Sequence, residues 1–214
     1  MQKLEFLKED FKKNDFNPVK VVLLNYKILV KSLYISIPLI LLLLANYFHS
    51  FESVILLKIF IYSFVFFWLD GLIYGKKKYN LKRLVVFFVS IIVLQLVPFS
   101  YIFLMFPFMV LTRKLKIKEA LSLSSYMIIK NIVKFFVVIA INALILTVVI
   151  FLVTTFLRVF VYKLDYSEVE KIKALITSNL MYYEFLVNYI LATQFYIIYR
   201  ILEYTEIMKK EEKN

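Results

Sequence analysis

A stretch of 28 consecutive residues without a charged side chain, from Leu84 to Leu111, limits what this chain can fold into more than any other feature. Pro98 lies near its middle and Pro107 near its end, and Lys and Arg clusters flank it on both sides. A helix that crosses a bilayer needs about 20 apolar residues, so the stretch forms either one such helix or two shorter ones. One helix would place the two basic flanks on opposite sides of a membrane, whereas a hairpin would place them on the same side.

The distribution of basic residues favours a hairpin that reverses at Pro98. With the hairpin, 22 Lys and Arg residues lie on one side of the membrane and 4 on the other, with Lys58 inside a span. With a single helix the division is 16 to 10. Because cytoplasmic loops of membrane proteins are rich in Lys and Arg, we predict the hairpin, a location in the inner (cytoplasmic) membrane of the cell, and cytoplasmic N- and C-termini.

The two halves of this hairpin are short. Spans of roughly Leu84–Val97 and Phe99–Leu111 would each measure about 20 Å, which is less than the thickness of the hydrocarbon core. The pair therefore either crosses a locally thinned bilayer or turns back before its far surface. Proline in a helix interior removes a backbone hydrogen bond, which agrees with a break at Pro98, although membrane helices tolerate proline.

Composition extends the membrane interpretation to the whole chain. Hydrophobic residues make up 62% of the sequence and the mean hydropathy is +0.79, whereas about half is usual for a soluble domain. The apolar residues form long blocks without the alternation of a transmembrane strand, so helices must be the spanning elements. We therefore predict an all-α, polytopic transmembrane helix bundle of about six spans, which forms a single integral membrane domain over residues 1–214.

The other elements follow from capping residues and apolar periodicity. Residues 1–16 predict an amphipathic interfacial helix whose apolar face includes Leu7 and Phe11. Asn17 and Pro18 are typical of the N-cap and the first position of the next helix. The remaining predictions are spans or long helices at Pro18–Phe48, Val54–Tyr74, Ile132–Phe160 and Leu180–Leu202, a surface helix at Arg113–Lys130, an outer segment at Arg158–Asn179 and a charged tail at 203–214.

The net charge of +12 is assigned to cytoplasmic loops rather than to nucleic acid binding. Lys and Arg near an anionic membrane surface attract its headgroups by about 1 kcal/mol each. We therefore predict a basic cytoplasmic face that contacts membrane lipids or a membrane or cytosolic protein partner. Its candidate residues are Lys20, Lys27, Lys31, Lys76, Lys77, Lys78, Arg113, Lys114, Lys116 and Lys118.

Uncharged amides are the notable polar groups inside the predicted spans, namely Gln95, Asn142, Asn188 and Gln194. Such amides commonly join membrane helices through hydrogen bonds, and they can also contact a substrate. A proline-broken run is also typical of the discontinuous helices that frame transport sites. The alternative to a lipid- or partner-binding protein is therefore a transporter or permease subunit with a site near the hairpin.

The sequence contains no visible set of catalytic or metal-binding residues. The chain has no cysteine and a single histidine, His49, which excludes thiolate catalysis, Cys-ligated zinc and a histidine cluster. Asp165, Glu168 and Glu170 form the densest acidic group, but they lie beside lysines as in an ordinary solvated loop. We therefore predict a non-catalytic protein without a metal or a cofactor.

Two stretches resemble a known membrane family. Arg113–Phe136 reads RKLKIKEALSLSSYMIIKNIVKFF and follows shortly after an FPF sequence, and a second stretch places Gly75 before three lysines. These resemble the cytoplasmic segments of the membrane domain fused to bacterial glycerophosphoryl diester phosphodiesterases and of the stand-alone YciC-like proteins. The resemblance implies a six-span fold and a membrane location, and the stand-alone relatives have no well-defined activity to transfer to this chain. The motif positions are Gly75, Pro107, Glu119, Ser124 and Asn131.

Overall fold

The computed structural model describes residues 6–13, 15–32, 51–75, 79–96, 105–113, 115–161, 170–171, 174 and 180–211. These residues form eight α-helices and no strand, so the predicted all-α class is confirmed for this part of the chain. The helices are α1 (Phe6–Lys12), α2 (Pro18–Ser32), α3 (Phe51–Tyr74), α4 (Leu81–Leu96), α5 (Phe106–Thr112), α6 (Ile117–Lys130), α7 (Ile132–Phe156) and α8 (Leu180–Glu211), and a π-helical turn, Leu157–Val161, continues α7.

Helix α8 lies at the centre of the bundle and packs against α1, α2 and α3. All twelve residues from Ala192 to Glu203 are buried, so neighbours cover this stretch on every side. The sequence predicts that the helix ends at Leu202, but it continues to Glu211. Most of the predicted charged tail, 203–214, is therefore a direct extension of the central helix.

A turn at Phe16 and Asn17 joins α1 to α2. Phe16 has a φ of 52°, and its buried ring packs edge-on against Phe135 of α7, with 5.4 Å between ring centroids. The side-chain oxygen of Asn17 accepts hydrogen bonds from the backbone N–H groups of Val19 and Lys20, so the predicted N-cap is confirmed. The predicted continuation of α2 beyond its last described turn lies outside the described residues.

The apolar face of α1 is covered by protein. Leu7 and Phe11 are fully buried because α1 packs on α8. The sequence predicts that this face lies in a membrane surface, whereas in the structure it is buried against the protein. The added length of α8 supplies Tyr204, whose ring lies 5.8 Å from the Lys12 ammonium.

Helix α3 ends where its sequence predicts, at a glycine. Gly75 has a φ of 81°, a left-handed conformation that L side chains rarely adopt, and its N–H donates to the carbonyl of Gly71 at 3.1 Å. A Cβ on Gly71 would have no neighbour within 4 Å, so none of the described helices crosses closely there. Two glycines four residues apart near the end of a span can mark either a close helix crossing or a helix terminator, and the structure supports the terminator.

Helices α4 and α5 pack against each other with their basic ends together. Arg83, in the first turn of α4, donates through Nη1 to the carbonyl oxygens of Val110 at 3.4 Å and Arg113 at 2.8 Å. The start of α4 therefore lies beside the end of α5, and the chain returns between them to the side that it left. Pro98, where we predict the reversal, lies outside the described residues.

Helix α7 is the one helix in the described ranges that is long and apolar enough to cross a membrane. With part of its π-helical turn it covers Ile132–Phe160, 29 residues whose most apolar window has a mean hydropathy of 3.1. A shorter apolar segment, Ile59–Tyr74, lies in α3. The other predicted spans, and therefore the number six, stay predictions, and most of the predicted outer segment Arg158–Asn179 lies outside the described residues.

Candidate functional site

Four charged side chains meet where three helices come together. Asp70 lies in the last turns of α3, Arg113 follows α5, and Arg200 and Glu203 are one turn apart on α8. Arg200 and Asp70 are 4% and 1% exposed, whereas Arg113 and Glu203 are 18% and 10% exposed. The ion pairs run in the order Asp70, Arg200, Glu203, Arg113, and we call these four residues the ion network.

The Asp70 carboxylate accepts hydrogen bonds from three described residues in different parts of the fold. The Arg200 guanidinium donates to Oδ1, and the Tyr196 hydroxyl donates to the same oxygen at 3.0 Å. The Tyr79 hydroxyl, from the segment between α3 and α4, donates to Oδ2 at 2.8 Å. Burial raises the pKa of Tyr79, and its hydrogen bond to Asp70 raises it further, so this hydroxyl stays protonated and keeps donating.

The Glu203 carboxylate is equally well satisfied. It accepts from the Arg200 guanidinium, from Arg113 Nε at 3.0 Å and from the Tyr199 hydroxyl at 2.8 Å. Arg113 also donates through Nη2 to the backbone carbonyl of Glu203 at 3.1 Å. The hydroxyl of Thr112, in the last turn of α5, is hydrogen-bonded to that of Tyr199 and so attaches this end of the network to α5.

Aromatic rings enclose the Arg200 guanidinium. Its central carbon lies 4.4 Å from the ring centroid of Tyr74, 5.2 Å from that of Tyr199 and 5.5 Å from that of Tyr196. A guanidinium is planar and weakly hydrated, so it suits a site in which it stacks on rings while its N–H groups pair with carboxylates. The Tyr74 hydroxyl is in turn hydrogen-bonded to that of Tyr204 at 2.8 Å.

The formal charges of the ion network sum to zero, and both carboxylates accept hydrogen bonds from arginine and tyrosine side chains. A buried charge is tolerated when it is paired and hydrogen-bonded, and it becomes very costly once its partner is removed. The arrangement therefore fixes the positions of α3, α5 and α8 relative to one another. Arg83 extends this link to α4 through the backbone carbonyl of Arg113.

Sequence reasoning did not identify the ion network. It places Asp70 near the lysines at 76–78 and counts Arg200 among the cytoplasmic charges. Two signals were available: Asp70 is the single charged residue of the apolar segment Ile59–Tyr74, and Arg200 and Glu203 follow an apolar helix at a spacing of one turn. Neither signal names the partner, because Asp70 and Arg200 are 130 positions apart.

A second polar contact joins three helices around Gln194 of α8. Its side-chain oxygen accepts from Asn142 Nδ2 of α7 at 3.2 Å, and its Nε2 donates to the carbonyl of Val21 in α2 at 3.4 Å. Asn25 of α2 donates in return to the carbonyl of Ile190 at 3.2 Å. This is the helix-joining role expected of Asn142 and Gln194. The sequence did not predict a helix-joining role for Asn25, because this residue lies among the lysines of α2.

The remaining predicted amides are Asn188 and Gln95. Asn188 lies one and a half turns before Gln194 on the same helix and is half-buried. The side chain of Gln95, in the last turn of α4, lies outside the described residues.

The predicted basic face falls only partly within the described ranges. Lys20, Lys116 and Lys118 are exposed. The Lys27 side chain, 50% exposed, pairs with Asp10 of α1 at 3.7 Å. Arg113 belongs to the ion network instead of the open surface. Lys76, Lys77, Lys78 and Lys114 lie outside the described residues, as does the side chain of Lys31.

The family-like motif positions occupy helix ends and buried contacts. Pro107 is buried in the first turn of α5, where its missing N–H leaves no backbone partner unsatisfied. Glu119 accepts a hydrogen bond from the backbone N–H of Lys116 at 3.2 Å and so caps α6. Ser124 is buried in α6, and Asn131, between α6 and α7, donates to the carbonyl of Met127 at 2.9 Å.

Comparisons of the chain with known protein families, with curated proteins and with solved structures found no match. Across the described ranges, no three His, Cys, Asp or Glu side chains lie together as a set that could hold a metal ion. The family resemblance and the predicted lack of metal, cofactor and catalysis therefore stay predictions.

Proposed function

We propose that this chain is a non-catalytic multi-pass membrane protein of about six spans, whose basic cytoplasmic face binds anionic lipid. The exposed apolar surface of α7 is the observation that carries the proposal. Val133, Leu144 and Phe151 are 71%, 68% and 67% exposed. Soluble monomers rarely leave so long a contiguous apolar surface in water, whereas hydrocarbon around the helix removes that cost.

The exposed surface of α4 also suits a helix surrounded by hydrocarbon. Phe87, Ile91 and Leu94 on one side of it are buried against the protein. The other side is apolar too and faces outward, at the spacing of one helical face. Its exposed residues are Val85, Phe88, Val89, Ile92 and Val93.

The contact between Arg83 and the Arg113 carbonyl supports the proposed topology. If α4 and α5 form a hairpin, their basic ends belong on one side of the membrane, and this contact holds those two ends together. The 22 to 4 division of Lys and Arg residues then identifies that side as the cytoplasm.

The exposed side of α2 has the composition of a helix that lies at the level of the lipid headgroups. Val19, Leu23 and Lys27 follow one another at four-residue intervals, and their exposed fractions are 55% and 64% for the first two and 50% for the Lys27 side chain. Apolar side chains beside lysines that extend toward the aqueous phase are typical of membrane interfaces. This stripe lies next to Lys20 and gives the basic face a direct contact with lipid.

A shared architecture with the phosphodiesterase-linked and YciC-like membrane family is part of the proposal. Its support within the chain is that Gly75 ends α3 and Asn131 separates α6 from α7.

A transporter is the second candidate, and the buried charges of the ion network favour it. Charged side chains within membrane helices often mark ion or substrate pathways. In the ion network, however, both carboxylates are already paired with arginines, which is more typical of a structural contact. A substrate flux into vesicles that is lost in the Gln194→Leu variant would favour transport.

The proposed function predicts that cytoplasmic lysines retain anionic lipid on the purified protein. We expect the triple variant Lys20→Gln, Lys116→Gln, Lys118→Gln to carry several-fold less phosphatidylglycerol per protein after detergent extraction, because each lysine contributes about 1 kcal/mol of attraction. The measurement is lipid analysis of protein extracted from vesicles that contain both anionic and zwitterionic lipid.

A triple variant on the predicted outer side, Lys163→Gln, Lys171→Gln, Lys173→Gln, makes the same change in net charge and is the matched control. It should retain as much phosphatidylglycerol as the unmodified protein. Equal retention in all three proteins, or an equal loss in both variants, would contradict the proposal.

A further inference from the structure

The turn before α2 and the start of α7 meet at Lys134. Its ammonium donates to the backbone carbonyl of Asp15 at 3.3 Å and lies 5.7 Å from the centroid of the Phe16 ring. The Phe16 ring also packs against Phe135, the residue after Lys134, and this contact holds the start of α7 against the turn before α2. Lys134 is nevertheless exposed, and an ammonium has two further N–H donors beyond the one that Asp15 receives.

Two other lysines lie within five residues of these contacts along the chain, and α2 packs against α7. Lys20, in the first turn of α2, is exposed. Lys130 comes one turn before Lys134 at the end of α6, and its ammonium donates to the Tyr126 hydroxyl at 3.1 Å. Because Asp15 is the acidic residue of this turn, positive charge exceeds negative charge here. We call Lys20, Lys130 and Lys134 the lysine corner.

Apolar surface adjoins the lysine corner on both helices. On α7, Val133, Val137 and Leu144 follow helical spacing and are 71%, 40% and 68% exposed. On α2, Val19 flanks Lys20 and is 55% exposed. Basic groups at the end of an exposed apolar stripe match the two parts of a phospholipid, an anionic phosphate and an acyl chain.

We propose that the lysine corner is a discrete site for one anionic phospholipid, with its phosphate on Lys20 and Lys134 and an acyl chain along α7. The inference rests on the proposed function, and it adds that binding is local instead of spread evenly over the basic face. Lys134 is oriented before the lipid arrives, because the Asp15 carbonyl and the Phe16 ring already fix its position. Preorganisation lowers the entropic cost of binding.

The test compares two double variants that remove the same charge from the same side of the membrane. Lys20→Gln with Lys134→Gln alters the lysine corner, and Lys116→Gln with Lys118→Gln alters the start of α6. Both proteins are titrated with phosphatidylglycerol in detergent micelles, and single bound lipids are counted by native mass spectrometry. We expect the corner variant to bind its first lipid about 25-fold more weakly. The α6 variant removes two lysines of the basic face that lie outside the site, and it should weaken binding of the first lipid by no more than a few-fold.

Two additional measurements separate the site from simpler explanations. Lys20→Arg with Lys134→Arg keeps both charges and should keep the first bound lipid, so a loss of folding in the glutamine variant would be recognised. Glycerol phosphate, which has the headgroup without an acyl chain, should not displace the lipid at concentrations equal to that of phosphatidylglycerol.

Similar weakening in both double variants would overturn the site and leave the proposed function in place, because the whole basic face would then be acting. Displacement of the lipid by equimolar glycerol phosphate would overturn the role of α7. Unchanged lipid binding in every variant would overturn both the site and the proposed function.

Discussion

Single side chains decide how the interior of this protein tolerates charge. Asp70, Arg200 and Glu203 are buried in a core that is mostly apolar, and Tyr79, Tyr196 and Tyr199 supply hydroxyl donors to the two carboxylates. Breaking one buried ion pair leaves a charge that the surroundings cannot solvate. An exposed pair carries no such penalty, since water replaces the lost partner.

The ion network predicts a large difference between two aspartates. Asp70→Asn leaves Arg200 without its carboxylate partner on α3, and we expect it to lower the free energy of unfolding by about 3–5 kcal/mol. Asp10→Asn removes the exposed partner of Lys27 and should change it by less than about 1 kcal/mol. The measurement is denaturant unfolding of both variants in the same detergent, and similar losses would show that Asp70 is not paired as described.

At the residue scale, the sequence predicts the kind of contact that a side chain makes better than it predicts the residue that it contacts. The capping role of Asn17 and the helix-joining role of Gln194 follow from the chemistry of each residue and its position along a helix. The pairing of Asp70 with Arg200 depends on how α3 and α8 pack, which periodicity within either helix does not specify.

Among the helices, the ends set by local chemistry were the most predictable. Gly75 ends α3 as its sequence suggests, and Asn17 starts α2. The end of α8 was not predictable from polarity, because Arg200 and Glu203 resemble the charged flank of a membrane helix. Their burial depends on α1, α3 and α5, which lie far from them in the chain.

The two glycines of α3 predict opposite responses to alanine. Gly75→Ala forces a Cβ onto a residue with a φ of 81° and should destabilise the protein by about 1–2 kcal/mol. Gly71→Ala meets no neighbour within 4 Å and should stabilise the helix by up to about 1 kcal/mol. Thermal unfolding of both variants in detergent measures the difference, and destabilisation by Gly71→Ala would indicate a close helix contact that the structure does not contain.

For the whole molecule, the proposed topology depends on the side of the membrane on which each loop lies. The cysteine-free chain allows single cysteines to be introduced at Ser100, beside the proline of the predicted hairpin, and at Ser122, on the exposed side of α6. A membrane-impermeant thiol reagent should label Cys at position 122 from the cytoplasmic side and Cys at position 100 from the other side. Labelling of both from one side would mean that the hairpin does not cross the bilayer. Finding Arg83 and Arg113 on opposite sides of the membrane would refute the reversal itself.

The central position of α8 has a consequence for how the protein is made. A ribosome completes this helix after every other described helix, yet α1, α2 and α3 all pack on it. Until then, Asp70 lacks its arginine and Asn25 lacks the Ile190 carbonyl. Partial chains that lack α8 are therefore left with unsatisfied polar groups, and these groups find their partners only once α8 has been made.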